Sequence, residues 1–549
     1  MGFETLLTRE QIERYTREGY WGSKVITDFL DEAAEKTPDK LAAVDGRSRY
    51  TYRELRQLVD RCALGFLELG VRPGDVVSFQ LPNWNEWVIA HFAATRIGAI
   101  SNPLVPIYRD REIRFMLGLA EPKIMVIPDR FRNFSYPEMM ERLRPSMPFL
   151  RHILVVGDEV PLGQESWKTF METKWEKIRD PGELAALRPD ANEVTELIFT
   201  SGTTGEPKGV LHTHNTVIST DVLTARLLNF DADTVIHMAS TFAHQTGFLY
   251  GPRLVTYLGS TGIYQDIWNV ERFVEMVEEF GIHMTMGATP FLHDLVRAPN
   301  LDQHDLSSLR VFICAGAPIP RPLLREARKR LPGVAVLGGW GQTEDALVTL
   351  SRMGDSEEKI TSTDGLPVPG MEVRVVDGSG RLLPPGQPGR LQCKGPFLFV
   401  GYAKRLEMTR ASFDGEWFDT GDFAVIDEEG YVSIEGRAKD IIIRGGENIP
   451  VSYVENVLHE HPDIEQVAIV AMPDPHLQER ACAFVIRKSG ATLTLADLQQ
   501  FLQEKGVAKP YWPERVEVVD EFPRTASGKI QKFKLREEIA RQLQREGER

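Results

Sequence analysis

Cysteine is scarce in this chain. Its 549 residues hold only Cys62, Cys314, Cys393 and Cys482, with no C-x-x-C pair and no metal-ligand spacing among them. That excludes a disulfide framework and points to a reduced, cytoplasmic setting. No apolar run approaches the ~18 residues that suggest a membrane span. The opening Met1-Gly2-Phe3-Glu4-Thr5-Leu6 has no basic region ahead of an apolar core, and Leu6 stands where a myristoylation signal wants Ser or Thr. Positive charge is also in deficit. The 64 Lys and Arg against 79 Asp and Glu leave a net charge of −15, which argues against general nucleic-acid binding. Any anionic ligand must therefore meet locally gathered positive charge. Low-complexity tracts and internal repeats are missing too, and 42% hydrophobic with 26% charged residues are globular values.

What is present is a long alternation of short β-rich runs with helical patterns. Runs at 76–80, 123–127, 152–156, 235–238 and 310–314 read as strands, with helices at 84–96, opened by Asn83, and 270–280, opened by Asn269. The fold class is α/β, a large N-terminal domain of layered α/β subdomains with largely parallel sheets. Near residue 437 the texture tightens into a small α+β pattern, with strands around 440–443, 467–470 and 481–486, a helix at 454–459 and two later helices. The expected division is a large domain over 1–436, a hinge at 437–440 and a small C-terminal domain over 441–549.

The richest stretch is Thr200-Ser201-Gly202-Thr203-Thr204-Gly205-Glu206-Pro207-Lys208-Gly209, directly after the strand-like Glu196-Leu197-Ile198-Phe199. Glycines let backbone N–H groups turn toward an anion, Ser and Thr add hydroxyl donors, and Lys208 adds charge. It is not the G-x-x-x-x-G-K-[ST] loop of P-loop kinases and ATPases, because Pro207 precedes Lys208 and Gly209 follows it. In open α/β sheets ligands gather beyond strand C-termini. Ala315-Gly316-Ala317-Pro318 and Gly339-Trp340-Gly341-Gln342-Thr343-Glu344 stand at such ends.

With Trp417-Phe418-Asp419-Thr420-Gly421-Asp422, Gly436-Arg437-Ala438-Lys439-Asp440, Arg444-Gly445-Gly446-Glu447-Asn448 and Pro523-Arg524-Thr525-Ala526-Ser527-Gly528-Lys529 in order, the chain resembles the acyl-adenylate-forming superfamily over nearly its whole length. That superfamily includes acyl-CoA synthetases, luciferases and peptide-synthetase adenylation domains. The resemblance implies ATP, Mg²⁺ and coenzyme A as cofactors and two half-reactions. A carboxylate attacks the α-phosphate of ATP to give acyl-AMP and pyrophosphate, and a thiol then takes the acyl group and releases AMP. Catalysis would be mainly positioning and charge neutralisation.

Residue by residue, the resemblance gives Thr200, Ser201, Gly202, Thr203, Thr204 and Lys208 to the terminal phosphates, and Glu344 with Thr204 to the metal. Thr343 goes to the α-phosphate, Gly316, Ala317, Pro318, Gly339 and Trp340 to the adenine slot, Gly341 and Gln342 to the nucleotide more broadly, and Asp422 and Arg437 to the ribose. Lys529 would reach the α-phosphate bridging oxygen during adenylation. Lys439 would be the hinge about which the small, mobile domain turns, withdrawing Lys529 and bringing Arg444, Gly445 and Gly446 toward coenzyme A.

His244 matches a position beside the reacting carboxylate, while His212 and His214 are assigned no role. Ala243 stands where amino-acid-activating relatives carry Asp, so an α-amino acid is not expected. The acyl pocket is expected from His244, Gly247, Ala315, Gly316, Gly339 and Val348, a small, apolar set that suits a cyclic, aromatic or medium-chain acid. The segments 79–84 and 102–108 look like bacterial ligases for cyclohexanecarboxylate and related acids. Coenzyme A is the expected acceptor because no carrier module follows the small domain. The alternatives are an acid-adenylating enzyme that loads a separate carrier protein's pantetheine, and a non-catalytic nucleotide-binding relative. Small molecules are the expected partners, and homo-oligomerisation is left open.

Overall fold

The computed structural model describes residues 3–200, 207–437, 440, 442–444, 447–449, 451–525 and 528–547. Short β-branched runs, too apolar to face water on either side, form mainly parallel strands covered by helices. In one eight-stranded sheet, Val76–Phe79, Ile100–Pro103, Val194–Thr200, Ile124–Pro128 and His152–Val156 run parallel. Lys208–Thr213 turns back antiparallel on Val194–Thr200, so that Thr200 pairs with Lys208. A nine-stranded sheet carries Val235–Met238, Met284–Gly287, Val311–Cys314 and Ala335–Gln342 in parallel, then Ala346–Leu350 antiparallel at one side. One hydrophobic core joins residues of both sheets with the helices Tyr52–Glu68 and Asn85–Arg96.

Local chemistry accounts for the element ends. The helix Tyr52–Glu68 opens on a capping box in which Thr51 and Glu54 satisfy each other's backbone N–H groups. In the helix Val270–Phe280, Asn269 accepts from Arg272 N, and Gly281 closes the helix in the left-handed region. The expected role of Asn83 is corrected. The helix begins at Asn85, and the Asn83 amide instead donates to Ser240 O and Gln265 O while its oxygen accepts from Phe242 N. It thereby ties the first sheet to strand ends of the second.

An antiparallel sheet of Glu372–Val376, Gly389–Lys394, Trp417–Ile426 and Val432–Arg437 completes the large N-terminal domain. The small C-terminal domain is built on Ile464–Asp474 and Gln478–Arg487, with Arg515–Val518 alongside and the helices Val451–Leu458, Leu495–Glu504 and Lys532–Gly547. It docks on the large domain. Arg325 pairs with Glu460 at 2.7 Å, Arg321 N donates to Asn456 Oδ1, and Ser452 Oγ donates to Glu435 O.

Candidate active site

The site lies where strand ends of the two large sheets meet the small domain. The pairing of Thr200 with Lys208 closes the base of the Thr/Ser/Gly loop. Ser201, Gly202, Thr203 and Thr204 lie outside the described residues, as do Lys439, Gly445 and Gly446. Gly209 is needed for packing, since a Cβ there would come 2.7 Å from Leu197 Cδ1.

Beyond Val311–Cys314 the chain turns at Gly316, whose φ of +86° favours glycine. Ala317 is half-buried, and the exposed Pro318 offers its carbonyl to Thr289 Oγ1. Opposite, Gly341 lies so close to the neighbouring strand that a Cβ would sit 1.7 Å from Ala346 O. Gln342 ends the strand Ala335–Gln342, and the turn that follows, leading into Ala346–Leu350, carries Thr343 and Glu344. The Gln342 N–H donates to the fully buried Asp345, whose carboxyl burial pushes up to about 8. The Thr343 carbonyl accepts from Nε2 of His212 at 2.7 Å, which fixes the proton on that nitrogen. Burial holds His212 at about 4, so it is neutral near pH 7. Glu344 is 8% exposed and accepts from the Tyr402 hydroxyl at 2.9 Å, while its backbone carbonyl accepts from Phe399 N.

Asp422 is buried and heavily engaged. Its Oδ2 accepts from Trp340 Nε1 at 3.0 Å and Gln342 Nε2 at 2.8 Å, and its Oδ1 lies 2.8 Å from Arg437 Nε. Burial raises its pKa, opposed by Arg437, Gln342, Lys529 and Trp340 in that order. Trp340 thus braces the carboxylate with its indole N–H as well as offering an aromatic face.

Lys529 arrives from the small domain on a tight turn. Thr525 N donates to Lys529 O, Lys529 N donates to Thr525 Oγ1, and Arg524 Nη1 donates to Gly528 O. Gly528 has φ +83° and leaves only enough room beside Pro290 that a Cβ would come 3.1 Å from its Cγ. Burial, then the Arg437 guanidinium, push the Lys529 ammonium down to about 8, while Asp422 and Glu344 pull it upward. His244 is held at about 4 by burial and by Lys529, so its ring is neutral, and its Nε2 has no hydrogen-bond partner among the described residues. Arg444 is engaged by Glu514 within the small domain at 2.9 Å.

A cavity of 230 Å³ opens beside His244. Ala315, Gly316 and Thr246 line it together with the apolar Ile107, Phe131, Trp268 and Phe291, and Arg132 and Asp266 also line it. Three expected pocket residues do not line it. Gly247 is pressed against the backbone, where a Cβ would fall 2.1 Å from Thr241 O, Gly339 packs under Leu347, and Val348 is fully buried. The cavity instead extends between the two sheets toward Ile107 and Phe131. His212, Tyr402 and the Ile107/Phe131 wall are absent from the sequence-derived site. For the last, the only signal is the 102–108 segment, singled out there for family likeness.

A family model described as AMP-binding enzyme matches residues 30–403, and one described as AMP-binding enzyme C-terminal domain matches 453–529. The chain is 36% identical to the medium-chain fatty-acid–CoA ligase of Escherichia coli K12, over 96% of this chain and 93% of that protein. It is 33% identical to the 2,3-dihydroxybenzoate–AMP ligase of Bacillus subtilis 168, over 97% of each. Among solved structures, that of the anthranilate CoA ligase AuaEII in complex with anthranoyl-AMP superposes with a TM-score of 0.86 at 26% identity, covering 94% of this chain and 97% of that one.

Proposed function

This chain belongs to the AMP-binding enzyme family of acyl-adenylate-forming enzymes, and from that premise we propose that it is an ATP-dependent, AMP-forming carboxylate–CoA ligase for a cyclic, aromatic or medium-chain acid. The observation that carries this reading is Lys529. A lysine from the small domain stands in the electrostatic reach of Asp422, Arg437, Glu344 and His244 of the large one, the arrangement that the first half-reaction needs.

In that reaction Lys208, Arg437 and Lys529 gather cationic charge in a chain whose net charge is −15. Asp422, braced by Trp340, Gln342 and Arg437, retains lone pairs for the ribose hydroxyls. Thr343, whose carbonyl is tied down by His212, is proposed to serve the α-phosphate. Lys529 donates to the bridging oxygen as the carboxylate attacks, and charge on the transferring centre is neutralised by groups already in place. The neutral His244 ring walls the acid without adding charge beside the carboxylate.

Glu344 fits a divalent cation. It is nearly buried, and among the described residues it has no Lys or Arg partner and only its Oε1 is hydrogen-bonded. One carboxylate plus substrate phosphates is the usual way Mg²⁺ is held at nucleotide sites, where it neutralises phosphate charge. Thr204 is the second group proposed to hold it. For the second half-reaction, the small domain is proposed to turn at Lys439, exchanging Lys529 for Arg444, Gly445 and Gly446. The chain's free, buried thiols suit a cytoplasmic location.

A carboxylic-acid panel scored by AMP release, with and without coenzyme A, tests the proposal. Coenzyme-dependent AMP release with one of these acid classes is the expected result. The likeness to a 2,3-dihydroxybenzoate–AMP ligase supports a second reading, in which the acceptor is a carrier protein's pantetheine. Pyrophosphate exchange that persists without any AMP release to free coenzyme A would favour it.

A further inference from the structure

Tyr402 belongs to no group so far assigned to ligand, yet it touches two that are. It sits on the two-residue strand Gly401–Tyr402, antiparallel to the strand that begins at Lys208, with Tyr402 opposite Val210. Its side chain is 2% exposed. The hydroxyl donates to Glu344 Oε1 at 2.9 Å, and Lys208 Nζ stands 4.7 Å from the centroid of the same ring. The metal carboxylate and the phosphate lysine are thus held on the edge and the face of one side chain.

The ring has little freedom to leave. Tyr402 N donates to the fully buried Thr409 Oγ1, and Phe399 packs against the ring with centroids 4.7 Å apart. Phe399 N also donates to the Glu344 carbonyl at 2.7 Å. The segment 399–402 therefore grips Glu344 at both backbone and carboxylate.

We propose that Tyr402 is a positioning residue of the nucleotide–metal site: its hydroxyl fixes the Glu344 carboxylate with Oε2 left for the cation, and its ring face keeps Lys208 poised for the terminal phosphates. The proposal rests on the reading of Glu344 and Lys208 given above. Two like tasks fall to one residue for an electrostatic reason. Unrestrained, Lys208 and Glu344 would draw together across a shielded site and neutralise each other. A ring between them gives the ammonium a cation–π partner and the carboxylate a hydrogen bond, so each stays available to ligand.

Two substitutions separate the tasks. Tyr402→Phe keeps the ring and removes the hydroxyl, whereas Tyr402→Leu removes both. Full-length protein with ATP and Mn²⁺ as the spectroscopic probe gives metal affinity by electron paramagnetic resonance, and calorimetry gives ATP affinity without metal. Tyr402→Phe is expected to weaken Mn²⁺ binding in the ATP complex about tenfold, the scale of one hydrogen bond to a charged group. It should raise the Mg²⁺ needed for half-maximal pyrophosphate exchange by a similar factor and leave metal-free ATP affinity unchanged. Tyr402→Leu should also weaken metal-free ATP binding, because Lys208 loses its ring. Unchanged Mn²⁺ affinity in Tyr402→Phe, beside a loss in Glu344→Gln, overturns the role of Tyr402 alone. If Glu344→Gln leaves Mn²⁺ affinity intact as well, the reading of Glu344 falls and the proposal with it. Equal loss of metal-dependent and metal-free binding in Tyr402→Phe would mark a merely structural tyrosine and likewise overturns it.

Discussion

Arg253 and Asp221 face each other with 3.8 Å between Nε and Oδ2, and both side chains are wholly shut off from solvent. The fully buried Glu196 lies within reach of the same guanidinium, so two carboxyls answer to one cation. Arg253 ends the π-helical turn Leu249–Arg253, which carries a non-helical Gly251 and follows the short helix behind His244. Above about pH 8, where the Glu196 and Asp221 carboxyls ionise, removing the guanidinium leaves buried carboxylates without compensation. At about pH 9 Arg253→Met is expected to cost about 3–5 kcal/mol, read as a lowered denaturant midpoint of the large domain. A midpoint within error of the parent would show that the carboxyls need no cation.

The same cluster sets a pH dependence. Burial lifts Glu196 and Asp221 to about 8, with Arg253 opposing, so the folded chain holds protons that the unfolded chain releases near 4. Their contribution to stability is therefore fully present at low pH and declines as pH rises from about 4 to 8. Glu196→Gln should flatten that decline. The check is the difference in melting temperature between parent and variant across pH 5 to 9, which should close or reverse at the alkaline end.

Lys529 gives a division between half-reactions. Lys529→Ala is expected to slow adenylation roughly 10²–10³-fold, the scale of losing one well-placed donor, while thioester formation from supplied acyl-AMP is spared. Equal loss in both single-turnover assays would defeat the assignment. In the ligand-free enzyme the ammonium titrates near 8, charged below and neutral above. Accordingly kcat/KM for ATP should fall as pH rises through about 8, since this ratio reports groups of the free enzyme. The residual activity of Lys529→Ala should lack that limb.

Much of the scaffold is legible in the sequence because it is locally dictated. The runs at 152–156 and 235–238 are strands over those same residues, and Asn269 caps its helix, as β-branched content and capping chemistry require. The motif residues are legible through resemblance. What stays hidden is set by partners far along the chain. Trp340 meets Asp422 across 82 residues, and His212 meets Thr343 across 131. Asn83 has the composition of a cap but spends its amide between sheets. The cavity wall of Ile107, Phe131, Trp268 and Phe291 exists only because two sheets are juxtaposed, and no periodicity within either segment encodes that meeting.

Gly528 should be as exacting as the lysine that follows it. Its φ of +83° is strained for any side chain, and Pro290 blocks the space beside it. Gly528→Val should displace Lys529 from its place near Asp422 and slow adenylation selectively, with the melting temperature of the large domain unchanged. If adenylation proceeds at the parent rate, the turn is not what delivers the lysine.

The cavity makes a separable prediction about the acid. Ala315 lines its inner end beside Gly316, and Ile107 lines its other end, where it is 42% exposed. Ala315→Val adds two methyl groups near the reacting carboxylate, and even one methylene in such a pocket changes discrimination by roughly 10-fold or more. KM for the preferred acid should rise by at least that factor while KM for ATP stays within about twofold, because the added bulk lies on the acid side of Gly316. Ile107→Ala should do the reverse at the far end, shifting preference toward longer acids. Parallel changes in both KM values would place the acid elsewhere, in the space around Gly247 and Val348 that the packed structure closes.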